Sequence, residues 1–163
     1  MATADASAGR SPAGAVRRDR RTVLAGALLG AGIAASVVDL AVFHLILHWH
    51  HFYDLSTTDV ALVSDGVFHA VGWFTTVGAL FLLADLRRGG ALSWGRWGAG
   101  LLVGLGAFQL FDGVVLHKVL RIHQVRYDVD LLVYDAAWIG AAVLALTAGL
   151  VLLRRTRPRR AGR

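Results

Sequence analysis

Four apolar stretches dominate the chain, at residues 22–47, 60–84, 94–116 and 131–153. Crossing ~30 Å of hydrocarbon as a helix takes ~20 residues at 1.5 Å each, and every stretch meets that length. Of the 163 residues 56% are hydrophobic and only 17% charged, a balance foreign to soluble domains. The expected architecture is therefore all-α, an integral membrane four-helix bundle over residues 22–153. Residues 1–21, small, polar and basic, read as a disordered cytoplasmic tail, and residues 154–163 as a second basic tail. RRTVLAGALLGAGIAAS at 20–36 also has the make-up of an export signal. Its removal would cut the first span just before Asp39, so it is expected to be retained.

The net charge of +6 is sorted along the chain. Five arginines precede the first span, three surround the second loop and six follow Leu153, while only Lys118, Arg121 and Arg126 lie on the other side. The positive-inside rule then puts both termini in the cytoplasm of a multi-pass protein of the cell's inner (plasma) membrane. All seven histidines fall toward the outer face. The clusters RRDRR and RRTRPRR read as topology anchors against anionic lipid, the bilayer being the expected partner, and no nucleic acid is implied.

Charged and imidazole groups inside these apolar runs need a reason. VVDLAVFHLILHWHH carries Asp39, His44, His48, His50 and His51, and LFDGVVLHKVLRIHQ carries Asp112, His117 and His123. Span two adds Asp65 and His69, and span four adds Asp135. At 1.5 Å per residue Asp65 and His69 lie roughly 8–14 Å into span two and Asp135 roughly 6 Å into span four, so four helices deliver polar groups to one layer. An aspartate at a helix centre costs about 2.5–3.5 kcal/mol on insertion scales. A metal, mutual hydrogen bonds, water or protonation must offset that cost. Asp59, Asp128 and Asp130 are set apart as helix-capping residues.

A shift of 73 residues lays Asp39, His44, Leu47 and His50 on Asp112, His117, Leu120 and His123. Spans one and three run the same way, so two parallel helix-pair repeats are expected. Gly26, Gly30, Gly32, Gly98, Gly100, Gly104 and Gly106 permit close helix approach, or simply follow the abundance of glycine in membrane helices. On a regular α-helix Asp39 and His44 diverge by about 140°, whereas Asp39 and His50 nearly eclipse. His44 and His50 are then expected to serve different neighbours.

There is no cysteine, and Met1 is the one methionine, so any metal must be held by nitrogen and oxygen. The favoured reading is a His/Asp transition-metal site in the outer half of the bilayer. Its candidate ligands are His44, His50, His51, Asp65, His69, Asp112, His117, His123, Asp39 and Asp135, for zinc, iron, manganese or copper. It would serve metal handling or metal-dependent redox or hydrolytic chemistry. Bland alternatives are an interfacial histidine and aromatic belt at 48–53 and a structural Asp65–His69 hydrogen bond. Functional alternatives are a metal-free proton or ion pathway, or an accessory or assembly subunit of a membrane complex. Paired-histidine haem ligation fits less well among carboxylates. A homodimer or a larger assembly is compatible with the chain.

LHWHH at 47–51, SDGVFHAVGW at 64–73, GAFQLFDGVVLHKVLRIHQVR at 106–126 and YDAAW at 134–138 resemble the four signature segments of the bacterial membrane family catalogued as domain of unknown function 2243. The resemblance implies a small four-span protein and no particular reaction. In the family pattern a carboxylate, often Glu, stands at Asp112, a glutamine at His48, and second histidines at Lys118 and Gln124. These differences imply that His48, Lys118 and Gln124 are expendable.

Overall fold

The apolar stretches form the four helices of an all-α membrane bundle. The computed structural model describes residues 11–157. Helix α1 (Pro12–Ile33) continues without a break as a π-helical segment, Ala34–Ile46. Helix α2 spans Thr58–Arg88. Helix α3 (Trp94–Phe111) continues as a second π-helical segment, Asp112–Leu120, and α4 spans Leu131–Arg155. All four are long and apolar enough to cross a bilayer. Large apolar side chains point outward on the outer helices, Phe74 and Phe81 on α2 and Leu132 and Leu144 on α4 each more than 70% exposed. That surface suits lipid and not water.

Helix α1 starts ten residues before the expected first span, inside the stretch read as a disordered tail. Ser11 caps it by accepting from the Gly14 amide at 3.1 Å, and Pro12 occupies the first turn, where its missing N–H costs nothing. The rest of the expected tail, residues 1–10, lies outside the described residues, as do residues 158–163 of the C-terminal tail. Thr57 and Asp130 cap α2 and α4 by accepting from Val60 and Leu132 amides. Asp128 instead takes a left-handed turn position, φ 57°.

Helices α1 and α3 form the central pair; α2 packs on α1 and α4 on α3, and among the described residues α2 and α4 do not meet. A Cβ added to Gly26 or Gly30 would collide with the backbone of Trp97 or Leu101, and one at Gly100 or Gly104 with that of Val23 or Ala27. The contacts climb both helices in the same direction, so α1 and α3 run parallel with their backbones touching. Gly106 meets the α4 backbone in the same manner and Gly32 the Thr76 side chain of α2, while Gly98 faces open space. At the end where the basic residues gather, Arg96 holds both oxygens of Asp19 at 2.6 Å and donates to the Leu153 carbonyl, joining α1, α3 and α4. Arg21 and Asp85 tie α1 to α2 at 2.6 Å. The histidines collect at the opposite end.

Backbone features there recur 73 residues apart. His48 and Arg121 both adopt left-handed conformations, φ 51° and 52°. The next amides close matching turns, Trp49 N–H to the Phe43 carbonyl at 2.9 Å and Ile122 N–H to the Leu116 carbonyl at 3.1 Å.

Candidate metal centre

Hydrogen bonds in a π-helix run between residues five apart, and so those residues stack over one another. Asp39 and His44 are five apart within the first π segment, and Asp112 and His117 five apart within the second. His44 Nε2 lies 3.5 Å from Asp39 Oδ1, and His117 Nε2 lies 3.0 Å from Asp112 Oδ2. The divergence expected of Asp39 and His44 on a regular α-helix is thus overturned by the wider winding.

The left-handed residues complete each half. Past His48 and Arg121 the chain folds back, and the histidine two positions on turns toward the carboxylate of its own span. His50 Nε2 lies 3.6 Å from Asp39 Oδ1, and His123 Nε2 lies 3.4 Å from Asp112 Oδ1. His44 and His50 therefore share Asp39, and only their second ring nitrogens serve different neighbours. The same fold-back ends the helix before His48 and His51, which do not continue the face of His44.

Those second nitrogens orient the rings. His50 Nδ1 donates to the Val125 carbonyl at 2.8 Å, and His123 Nδ1 to the Phe52 carbonyl at 2.8 Å. The two bonds are reciprocal across the 73-residue shift, each loop holding the other's histidine. His44 Nδ1 bonds Asp65 Oδ1 at 2.8 Å. With the proton on Nδ1, the lone pair of Nε2 points inward, the arrangement that metal-binding imidazoles use.

What faces the interior is a set of polar atoms without hydrogen-bond partners. All four oxygens of Asp39 and Asp112, and Nε2 of His44, His50, His117 and His123, are buried and lack a hydrogen-bond partner. His117 Nε2 nevertheless lies within reach of Asp112 Oδ2. None of the six residues is more than 4% exposed. Ligand atoms of Asp39, His44 and His50 lie within 4.8 Å of one another, and so do those of His50, His117 and His123. The His50 and His123 rings stack at 4.8 Å, nearly parallel. Burial pushes the His50 imidazole below its ordinary pKa, with His44 and His123 adding to the effect against the opposing pull of Asp39. Burying a carboxylate without a partner costs several kcal/mol, so Asp39 and Asp112 each need a proton, a protonated imidazole or a bound cation beside them.

The remaining candidates lie around this core. Asp65 backs it, accepting from the Phe52 amide at 2.7 Å and pairing with His51 Nδ1 at 2.6 Å besides His44. His69, one turn further along α2, stands apart and takes the Trp73 indole N–H at 2.5 Å. Asp135 pairs with Lys118 at 2.5 Å; Lys118 donates to Gln124, and Gln124 to the His117 carbonyl, so Asp135 reaches the centre only through that chain. His48 contributes its backbone turn. The carbonyls of Phe52 and Val125 escaped the sequence reading, since a main-chain acceptor leaves no mark in residue type. Their one signal is that they too stand 73 residues apart.

Over residues 25–156 the chain matches the family described as predicted membrane protein (DUF2243). No curated protein and no solved structure matches it. The matched stretch takes in every residue of the centre, and the chain belongs to this family of membrane proteins.

Proposed function

We propose that this membrane protein holds transition-metal ions between its π-helical segments, with Asp39, His44, His50, Asp112, His117 and His123 as ligands. The observation that carries the reading is the cluster of buried carboxylate oxygens and imidazole Nε2 atoms that lack hydrogen-bond partners. Nitrogen and oxygen donors suit zinc, iron, manganese or copper(II). Near-complete burial favours ion retention or redox chemistry over hydrolysis of a bulky substrate. The charge sorting supports a site in the outer half of the plasma membrane with both termini cytoplasmic. Metal analysis of purified protein tests the proposal. Wild type is expected to carry metal in an amount that His44→Ala and His117→Ala each lower and His69→Ala leaves unchanged. Wild type without metal under ordinary supply sinks it.

One observation favours a second reading, a proton pathway. His51, 29% exposed at its side chain, pairs with Asp65, and Asp65 pairs with buried His44, making a chain from the surface to the centre. Imidazoles and carboxylates in membranes commonly relay protons. This reading expects potential-driven proton flux in liposomes that Asp65→Asn abolishes, with no dependence on metal.

A further inference from the structure

The two halves of the centre match in their inward atoms and differ behind them. His44 Nδ1 is held by the Asp65 carboxylate at 2.8 Å. His117 occupies the same place in the second half, yet its Nδ1 is buried with no partner. The residue 73 positions after Asp65 is Trp138. Its ring lies 5.9 Å from that of His117, and its N–H is already given to the Gln109 carbonyl at 3.2 Å. An indole has only a donor to offer and none left to spare, so nothing on that side orients His117 or raises its basicity.

The donors also fall into more than one compact group. Asp39, His44 and His50 form one, and a second shares His50 with His117 and His123. Because one Nε2 lone pair serves a single ion, a second ion would fall to Asp112, whose oxygens lie 3.0 and 3.4 Å from the Nε2 atoms of His117 and His123. An ion among the first three would leave Asp112 buried between its own two imidazoles with both oxygens unpaired. A second cation removes that penalty.

We infer that the centre takes two ions, one at each carboxylate, and that they are unequal: the ion at Asp39, His44 and His50, backed by Asp65, is held tightly, and the ion at Asp112, His117 and His123 exchanges. This rests on the metal reading above. A carboxylate behind a metal-binding histidine typically changes affinity by ~10–100-fold, which sets the expected gap. The loosely held position, with an unpinned His117 ring, is the one from which an ion is passed on or replaced.

Titration of chelator-stripped, detergent-purified protein with Zn²⁺ against a chromogenic competitor tests the inference. Wild type is expected to bind two equivalents whose affinities differ by ~10–100-fold. His44→Ala should lose the tight equivalent and His117→Ala the weak one. Asp65→Asn, similar in size and suited to the same backbone, should keep two equivalents and bring them within a few-fold of each other. Circular dichroism and monodispersity identify any variant that fails to fold, in which case the wild-type isotherm and Asp65→Asn decide. Two equivalents of equal affinity, or an unequal pair unmoved by Asp65→Asn, overturn the inequality. A single equivalent lost in both alanine variants overturns the two-ion centre and leaves the metal reading standing, whereas no Zn²⁺ binding removes the metal reading and this inference together.

Discussion

Asp39 Oδ1 lies 3.5 Å from His44 Nε2 although the two residues are five apart in a continuous helical span. Wide winding of the backbone creates that approach, and it recurs at Asp112 and His117. A buried carboxylate facing an imidazole with no hydrogen bond between them is costly in isolation, so stability should depend on what fills the gap.

Asp39→Asn or Asp112→Asn is therefore expected to change sign with conditions. In chelator-stripped protein either substitution removes a buried carboxylate that lacks a hydrogen-bond partner and should stabilise by about 1–3 kcal/mol. At about 2–4 °C per kcal/mol for a chain of this size, the gain should be visible as a raised Tm. With metal present the same variants should melt below wild type. Thermal unfolding with and without chelator checks the crossing.

The acid side of stripped protein gives a second test. Burial holds the His50 pKa below its unfolded value of about 6.5, so the unfolded state binds more protons once pH falls to that value. Stability from this group is complete above about pH 6.5 and declines as pH drops through it toward the folded pKa. The Tm of stripped wild type should fall on acidification below that point more steeply than that of His50→Phe. His50 ring resonances in NMR should remain those of neutral imidazole where a free histidine is half protonated.

Helix contact predicts opposite outcomes for two glycines. Gly104→Ala places a Cβ into the Ala27 backbone and should destabilise by about 1–3 kcal/mol or more, with loss of metal. Gly98→Ala meets open space and should be neutral or stabilise by up to about 1 kcal/mol. Tm and metal content measured together distinguish them.

His48 offers a test of the backbone alone. With φ 51°, it occupies a conformation costing roughly 1–2 kcal/mol in a residue bearing a Cβ. His48→Gly should leave metal content unchanged and raise Tm slightly, whereas His48→Val should lower both. Loss of metal in the glycine variant would show that the imidazole itself is used.

Membrane architecture was legible because length and hydropathy alone decide it. The six converging residues stood out for the same reason, as polar groups in runs where polarity is costly, marked twice by the 73-residue shift. Their mutual geometry was not legible: five-residue spacing between Asp39 and His44 means divergence in an α-helix and alignment in a π-helix, and nothing in side-chain pattern announces the change. His48 and Arg121 turn the chain without glycine, so no residue type flags the fold-back. The start of α1 at Ser11–Pro12, a cap followed by a first-turn proline, lies within a stretch whose small, polar composition points to disorder. His69 shares a face with Asp65 yet stands about 6 Å deeper, one turn beyond the reach of the centre.

The exchanged bonds from His50 to the Val125 carbonyl and from His123 to the Phe52 carbonyl impose a timetable on biosynthesis. Asp39 and His44 reach the bilayer with the first hairpin, but His50 has no acceptor until the ribosome has passed codon 125. A newborn first hairpin thus carries a half-set of polar groups that cannot close, and the last loop to emerge is the latch that joins the two halves of the centre.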